Sequence, residues 1–380
     1  MGPLTGLKVI ELMGLGPAPF CSMLLADMGA EVILIERKAD QNKPVEVTRR
    51  NRRSIAINLK QQEGIDTLLA LVDQADVLIE GFRPGVTERL GFGPDVCLER
   101  NPALVYGRMT GWGQEGPMAN AAGHDINYIS LTGALHAIGR KGDAPVPPLN
   151  LVGDYGGGSM YLAFGILSAL YERQRSGKGQ VIDAAMVDGA ASLMTLFHDL
   201  REMGSFTAER GAHFLSTGAP HYEVYETKTD AGADSEYISL GPLEPQFYDL
   251  LIDTMALNRE DFYPQGDESQ WPRRKEILTD VFLSRSRQQW CELLEGTDAC
   301  FSPVLSMWEA PEHHHMKARG TFIDVEGVNQ PAPAPRFSRS QPATPVPPRR
   351  PGEDSVNVLK DYGFDPDAIE QLLASGAVMQ

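Results

Sequence analysis

The sequence predicts an α/β protein with a Rossmann-like large domain and a smaller α+β domain. Residues 7–36 alternate as strand, helix and strand, which is the pattern of a β-α-β unit. From about residue 221 the chain shows its own alternating strands and polar helices, which indicates a second unit. At 380 residues, with 42% hydrophobic and 22% charged residues, the chain is long enough for two cores.

The first unit is predicted from its apolar runs. Strands are expected over 7–12 and 31–36, with a helix between them. Gly14 and Gly16 follow the first strand, as in proteins that bind dinucleotides. Pro19 stands where that fingerprint has its third glycine. An NAD-dependent oxidoreductase is therefore the least favoured function.

Charge and composition argue against two classes of partner. The net charge of −17 disfavours nucleic acids and membrane surfaces. No apolar run reaches the length that spans a membrane. The four cysteines are scattered, which is typical of reduced thiols. The first residues lack the basic and then apolar pattern of a signal peptide, and we expect a cytoplasmic protein.

One segment reverses this acidic balance. Residues 37–60 contain eight basic and two acidic residues. A solvated basic loop is one interpretation. The other is a binding site for phosphates, where arginine supplies forked donors and lysine a point charge. The residues alone leave both open.

Two candidates for acid–base chemistry stand at predicted helix starts. His124 precedes the capping residue Asp125 and a helical pattern. Asp154 precedes a predicted turn at glycines 156–158 and a helix expected to be buried through Leu170. A histidine and a carboxylate placed in this way can flank a substrate carbon, with backbone N–H groups facing a developing oxyanion. The competing interpretation is a simple cap and a simple turn.

Three segments closely resemble the α-methylacyl-CoA racemases, a group within the family III CoA-transferase superfamily. They are Gly123-His-Asp-Ile-Asn-Tyr-Ile-Ser130, Pro147-Pro-Leu-Asn-Leu-Val-Gly-Asp-Tyr-Gly-Gly-Gly-Ser-Met160 and Gly177-Lys-Gly-Gln-Val-Ile-Asp-Ala-Ala-Met-Val-Asp-Gly189. The resemblance extends over nearly the whole chain. It implies the family III CoA-transferase fold, an interlocked homodimer and an acyl-CoA substrate. It implies no metal or redox cofactor, since coenzyme A is part of the substrate.

The resemblance also implies a reaction, the epimerisation of 2-methylacyl-CoA thioesters by 1,1-proton transfer through an enolate. His124 and Asp154 are then the two bases, and Asp154 must be uncharged part of the time. The backbone N–H of Asp125 is the expected oxyanion donor, and Asn150 is expected to order the loop around Asp154. Glu244 is expected to support the catalytic histidine, from the partner chain in an interlocked dimer.

Coenzyme A, with its 3′-phosphate and pyrophosphate, would suit the basic segment. A strand is predicted over 76–80, which places the turn at 82–84 beyond its carboxyl end, where ligands of α/β sheets collect. The resemblance implies coenzyme A contacts from Arg37, Ile57, Asn58, Leu59, Lys60, Phe82, Arg83, Pro84, Arg89, Gly123, Asn127 and Tyr128.

Two alternatives keep coenzyme A but change the chemistry. A CoA transferase of the same superfamily would use an aspartate at the position of Asp154 as a nucleophile and form an acyl anhydride. Transferases of the superfamily usually lack a histidine at the position of His124, and its presence favours racemisation. A non-catalytic acyl-CoA binding protein would need neither residue.

The predicted domain boundaries follow the glycine and proline content. They are a large CoA-binding domain at 1–203, a linker at 204–220, a small domain at 221–320, and a strap with a C-terminal helix at 321–380 that packs on the large domain. The run at 313–315 is three histidines. We expect no metal there, because consecutive side chains diverge and no cysteine or second histidine cluster is close in sequence.

Overall fold

The computed structural model describes residues 2–37 and 46–380. Lys38, Asp40 and Lys43 of the basic segment lie outside the described residues. The chain divides into two compact units. The first consists of Met1–Gly133, Pro148–Met194 and Phe322–Gln380, and the second of Ala134–Pro147 and Thr195–Thr321.

This division differs from the predicted domain boundaries at two places. The segments 134–147 and 195–220 belong to the second unit rather than to the large domain or a linker. Polar contacts within the second unit account for this. Arg140 pairs with Glu223 at 2.9 Å, and Arg210 donates to the carbonyl of His136 at 2.7 Å.

Twelve strands are found in the described residues. In chain order they are β1 Lys8–Leu12, β2 Glu31–Glu36, β3 Arg52–Ile57, β4 Val77–Glu80, β5 Val105–Thr110, β6 Gln180–Ala185, β7 Glu223–Glu226, β8 Tyr237–Leu240, β9 Phe301–Val304, β10 Phe322–Val325, β11 Val328–Pro331 and β12 Val378–Met379.

Sixteen α-helices are found in the same residues. They are α1 Pro17–Asp27, α2 Gln62–Val72, α3 Val86–Leu90, α4 Pro94–Arg100, α5 Asp125–Leu131, α6 Ala134–Ala137, α7 Met160–Ser176, α8 Met186–Leu193, α9 Thr195–Glu202, α10 Pro245–Thr254, α11 Arg259–Phe262, α12 Trp271–Phe282, α13 Arg287–Leu294, α14 His314–Arg319, α15 Ser355–Asp361 and α16 Pro366–Ser375. A π-helix, Leu151–Ser159, precedes α7.

The first unit is built on a seven-stranded sheet in the order β12-β3-β2-β1-β4-β5-β6. Strands β1 to β6 are parallel, and β12 runs antiparallel to β3. The order 3-2-1-4-5-6 is that of the Rossmann fold, in which ligands bind where the order reverses, between β1 and β4. The predicted α/β, Rossmann-like fold is confirmed.

The strands of this sheet are apolar along both faces because helices cover both sides. Val9 and Val77 pack into a core shared with α1 and α7. Their neighbours Ile10 and Leu78 point to the opposite face and pack with α2 and α15. Adjacent strand residues therefore serve two different cores, and the alternation fixes the register of the sheet.

The C-terminal segment completes this unit. The predicted C-terminal helix is present as α16, and Gly376 ends it with a φ of 74°. The strand after this helix, β12, was not predicted from the sequence, and it pairs with β3 through Val378 and Ile57. Val378 is fully buried. The last strand therefore covers the edge of the parallel sheet, which would otherwise expose unpaired backbone groups.

The helix α7 corrects one prediction. It was expected to be buried through Leu170, but only one of its faces is buried. Leu162 and Ile166 on this face lie in the core. The residues Phe164 and Tyr171 are 71% and 67% exposed in the single chain. An apolar helix that packs on a sheet buries one stripe, and here the opposite stripe is apolar as well.

The second unit has its own core. Its strands form a three-stranded antiparallel sheet in the order β7-β8-β9. Tyr248 of α10, Phe282 of α12 and Trp290 of α13 pack together with the sheet residues. This agrees with the predicted smaller α+β unit. In the described part of the chain, no helix has the length and apolar character needed to span a membrane.

Candidate active site

A cavity of about 690 Å³ lies in the first unit, at the edge where the parallel strands end. Its walls include the loop after β1 and the turn Phe82–Pro84 after β4. These two strands flank the point where the strand order reverses, which is where ligands of such sheets bind. His124, Asn150 and Asp154 all line this cavity. The structure therefore brings the two predicted bases to one place.

Asp154 lies inside the π-helix rather than at the first residue of a helix. The amide of Tyr155 donates to the carbonyl of Asn150, five residues earlier. The turn predicted at 156–158 is wrong, because these glycines belong to the same π-helix. Short π-helical segments occur frequently at functional sites.

Glycine permits close packing around Asp154. Gly16 has a φ of 67°, and a Cβ there would lie 3.2 Å from Oδ2 of Asp154. A Cβ on Gly153 would lie 2.5 Å from Oδ2 of Asp125. A larger residue at either position would displace one of these carboxylates.

Two neighbours hold Asp154, which is 9% exposed. Its backbone amide donates to Oδ2 of Asp125 at 2.7 Å. Its own Oδ2 accepts a hydrogen bond from Nδ2 of Asn150 at 2.7 Å. The sequence analysis predicted a role for the backbone of Asp125 and missed this contact of its side chain, since sequence spacing does not reveal contacts between segments.

Burial raises the pKa of the Asp154 carboxyl above its ordinary value of 3.8. The hydrogen bond from Asn150 opposes this rise, and the nearby charge of Asp125 adds to it. A proton-transfer role for Asp154 requires a carboxyl that is uncharged part of the time. The raised pKa increases the fraction of Asp154 that is protonated and uncharged, as this role requires.

His124 precedes α5, and its backbone amide donates to Oδ1 of Asn127 at 3.0 Å. Its side chain is exposed and faces the cavity. Tyr128 packs edge-on against Trp112, with 4.8 Å between ring centroids, and donates to the carbonyl of Gly123. These contacts fix the start of α5 against the cavity wall.

Several of the predicted coenzyme A contacts directly follow one of three parallel strands. Arg37 follows β2, Asn58 follows β3, and Phe82 comes shortly after β4. Those that line the cavity are Phe82, Arg83, Pro84, Gly123 and Tyr128. Those outside its lining are Arg37, Ile57, Asn58, Leu59, Lys60, Arg89 and Asn127. The side chain of Ile57 is buried in the core, so its contact with coenzyme A stays a prediction for the backbone alone.

Much of the basic segment is neutralised within the first unit. Four of its arginines form the pairs Arg49–Glu36, Arg50–Asp27, Arg52–Glu11 and Arg53–Glu31. Arg50 and Arg52 are buried, and buried charges require such partners. The interpretation of the whole segment as a phosphate site is therefore wrong for the buried Arg50 and Arg52. Arg37 and Lys60 are exposed.

Two further predicted positions lie in the second unit. Glu244 directly precedes α10, and its side chain is exposed. Its support of a catalytic histidine stays a prediction. The histidines at 313–315 were expected to diverge. This is wrong for the first two, because the rings of His313 and His314 lie 4.5 Å apart, centroid to centroid.

The sheet has the Rossmann strand order, and a histidine and a buried carboxyl lie at the point where that order reverses. These features define a class, the α/β proteins that can carry out acid–base chemistry on a bound ligand. This chain belongs to CoA-transferase family III, whose family model matches residues 4–355. The predicted family membership is confirmed.

Curated relatives and a solved structure agree with this assignment. The chain is 45% identical over 372 residues to the alpha-methylacyl-CoA racemase of Mus musculus, covering 97% of this chain and 96% of that protein. Against the alpha-methylacyl-CoA racemase of Homo sapiens the identity is 42% over 374 residues, with the same coverage. A crystal structure of a CAIB/BAIF family protein from Brucella suis has the same fold, with a TM-score of 0.79 at 24% identity, covering 95% of this chain and 99% of that one.

Proposed function

We propose that this chain interconverts the R and S epimers of 2-methylacyl-CoA thioesters by 1,1-proton transfer. The observation that carries the proposal is the cavity at the switch point, which is lined by both His124 and Asp154. The raised pKa of Asp154 and the two relatives named as alpha-methylacyl-CoA racemases support it.

The proposed mechanism needs one base on each face of the α-carbon. Neutral His124 removes the proton from one epimer, and the electron pair moves into the thioester to form an enolate. Protonated Asp154 then gives its proton to the opposite face of the same carbon. For the other epimer the two residues exchange roles. The reaction begins and ends with one proton on the pair.

The enolate oxygen needs a donor. Asp125 is the first residue of α5, and its amide has no acceptor within the helix. We assign this amide to the enolate oxygen. The side chain of Asp125 also accepts a hydrogen bond from the amide of Asp154. Asp125 therefore supplies the proposed oxyanion donor and also positions the base Asp154. The proposed reaction needs no metal or redox cofactor.

One incubation tests the reaction. A single 2-methyl epimer, kept in deuterated water without an acceptor acid, should become a near-equal mixture and gain deuterium at the α-carbon. Chiral chromatography and mass spectrometry measure both. If coenzyme A moves to an added carboxylate while deuterium stays out, the transferase alternative is correct, with Asp154 as the nucleophile. Binding without either change would indicate a non-catalytic acyl-CoA binding protein.

Changing Asn150 to alanine should shift the pH profile to higher pH. Its hydrogen bond lowers the pKa of Asp154, and its loss allows that pKa to rise further. For the epimer from which Asp154 removes the proton, kcat/KM increases as this carboxyl ionises. The rise of kcat/KM with pH should therefore occur at higher pH in Asn150→Ala than in the unmodified chain. Initial rates for each epimer across the pH range measure the shift, and a rise at unchanged pH would show that Asn150 does not tune Asp154.

Coenzyme A is proposed to bind along the carboxyl edge of the sheet, with Arg37 as a phosphate contact. Arg37→Ala should weaken coenzyme A binding by roughly 1.5–3 kcal/mol, through the loss of a charge-assisted hydrogen bond. Isothermal titration with free coenzyme A measures this. Arg100→Ala is a matched control, since Arg100 is also exposed but lies in the last turn of α4, before the amino end of β5. Equal affinities in the two variants would exclude Arg37 from the binding site.

We also propose an interlocked homodimer in the cytoplasm. The exposed face of α7 supports an interface, because four apolar residues recur there at helical spacing and are all exposed in the single chain. They are Met160, Phe164, Leu167 and Tyr171. Soluble chains rarely leave such a stripe open unless a partner covers it. In a closed two-fold dimer the same stripe meets its copy or a neighbouring surface in both subunits.

A hybrid dimer tests whether each site uses both chains. We expect Glu244 to reach the site of the partner chain. If so, a hybrid of one His124→Ala chain and one Glu244→Ala chain has one site with both defects and one with neither, and about half the activity returns. Activity of the purified hybrid measures this.

The comparison requires that Glu244→Ala alone is strongly impaired, and Glu260→Ala, at an exposed position of α11, is the control for that variant. A hybrid as inactive as its parents would exclude the shared site but not the racemase.

A further inference from the structure

The second unit has a cavity of its own, of about 470 Å³. It lies between the end of α13 and the start of α14. Glu295 follows α13 directly, and His313 precedes α14. Cys291, Glu295, His313 and His314 all line this cavity. The proposed proton transfer uses none of them.

Three of these side chains converge. Nε2 of His313 lies 2.7 Å from Oε1 of Glu295, and Nδ1 of His314 lies 3.8 Å from the same oxygen. The three atoms all lie within 4.8 Å of one another. His313 is extended and His314 begins a helix, so the backbone turns between them and both rings reach the same side.

Imidazole nitrogens with one carboxylate oxygen are the donors that zinc and similar ions prefer. In a tetrahedral site with bonds of about 2.0–2.2 Å, neighbouring donor atoms are about 3.4 Å apart. The two separations from Oε1 of Glu295, 2.7 and 3.8 Å, lie on either side of this value, so small side-chain movements would form the site. Cys291, one helical turn before Glu295, lines the same cavity and offers a thiol near these donors.

We propose that Glu295, His313 and His314 form a binding site for one divalent transition-metal ion of the zinc class. This replaces the expectation of no metal at the histidine run. That expectation considered sequence neighbours alone, whereas Glu295 comes from a different segment. A metal here would join the end of α13 to the start of α14, and by binding only the folded chain it would stabilise the protein.

Zinc titration of the chelator-treated full chain tests the site. With a chromophoric chelator as competitor, we expect one zinc ion per chain and a higher melting temperature with zinc present. His314→Ala should weaken zinc binding by at least about tenfold, since even groups that only support a ligand change affinity by that much. The side chain of His314 is 78% exposed, and its removal is compatible with folding.

His315→Ala is the matched control, because His315 is exposed and lies outside the three-residue cluster. It should bind zinc like the unmodified chain. Glu295→Gln should lose affinity as His314→Ala does. No zinc binding, or equal affinity in His314→Ala and His315→Ala, would overturn the proposal. Racemase activity is a separate readout, so its loss or absence does not affect this test.

Discussion

An Asp154→Asn chain should interconvert the epimers of 2-methylacyl-CoA at least about 10²-fold more slowly than the unmodified chain. Asparagine fills the same space and can still accept the hydrogen bond from Asn150, and its backbone amide can still donate to Asp125. What it cannot do is take up or release a proton near neutral pH. The loss should therefore appear in the inversion rate, while the dissociation constant for coenzyme A stays nearly unchanged.

Stability separates this result from a folding defect. Burial raises the pKa of Asp154, so its ionised form is disfavoured in the folded chain. The contribution of this group to stability is fully present below its unfolded pKa and is lost as the pH rises through the folded value. At neutral pH the Asp154→Asn chain no longer buries an ionised carboxylate. Its melting temperature should therefore be equal to or higher than that of the unmodified chain.

The exposed Asp188 of α8 provides the matched control for this substitution. Asp188→Asn should keep both the inversion rate and the melting temperature. An Asp154→Asn chain with full turnover would remove Asp154 from the mechanism.

The core of the fold could be predicted because its strands are buried on both faces. In a chain of this length, a continuous apolar run such as Val32 to Ile35 is typical of a strand in a parallel sheet covered by helices. The short strand β12 could not be predicted, since two residues carry no periodicity. Its position depends on the open edge of β3, which is a property of the assembled sheet.

The surroundings of Asp154 could not be predicted for a different reason. A run of glycines indicates missing side chains, but it does not say whether the backbone turns or another segment packs closely. Here close packing prevails, since a Cβ on Gly157 would lie 2.6 Å from the backbone nitrogen of Ala190. The sequence therefore located Asp154 and its acid–base role as a hypothesis, but not the π-helix that holds it.

Charge counting had a similar limit. The arginines of the basic segment are visible in the sequence, but their partners are not. Arg50 reaches back to Asp27, and Arg52 to Glu11. Each partner is far away in the sequence, so the ion pairs that burial of these arginines requires cannot be recognised from the sequence alone. A basic segment beside a sheet of buried carboxylates can therefore be structural in part, and only its exposed members stay candidates for phosphate binding.

His124→Ala should also lower the inversion rate by at least about 10²-fold, because the second base is lost. Coenzyme A affinity should persist, since the side chain of His124 is exposed at the cavity wall. His198→Ala is the matched control, as His198 is an exposed histidine of α9 in the second unit. It should keep the rate of the unmodified chain.

The two site variants should differ in which epimer they label. In deuterated water, His124→Ala retains Asp154 and should exchange the α-proton only of the epimer whose proton faces that carboxylate. Asp154→Asn retains His124 and should exchange the other epimer only. Neither variant should invert its substrate efficiently, because the proton donor on the opposite face is missing. Mass spectrometry of each separated epimer measures the label. If both variants labelled the same epimer, the two bases could not lie on opposite faces of the α-carbon, and a single-base mechanism would replace the pair.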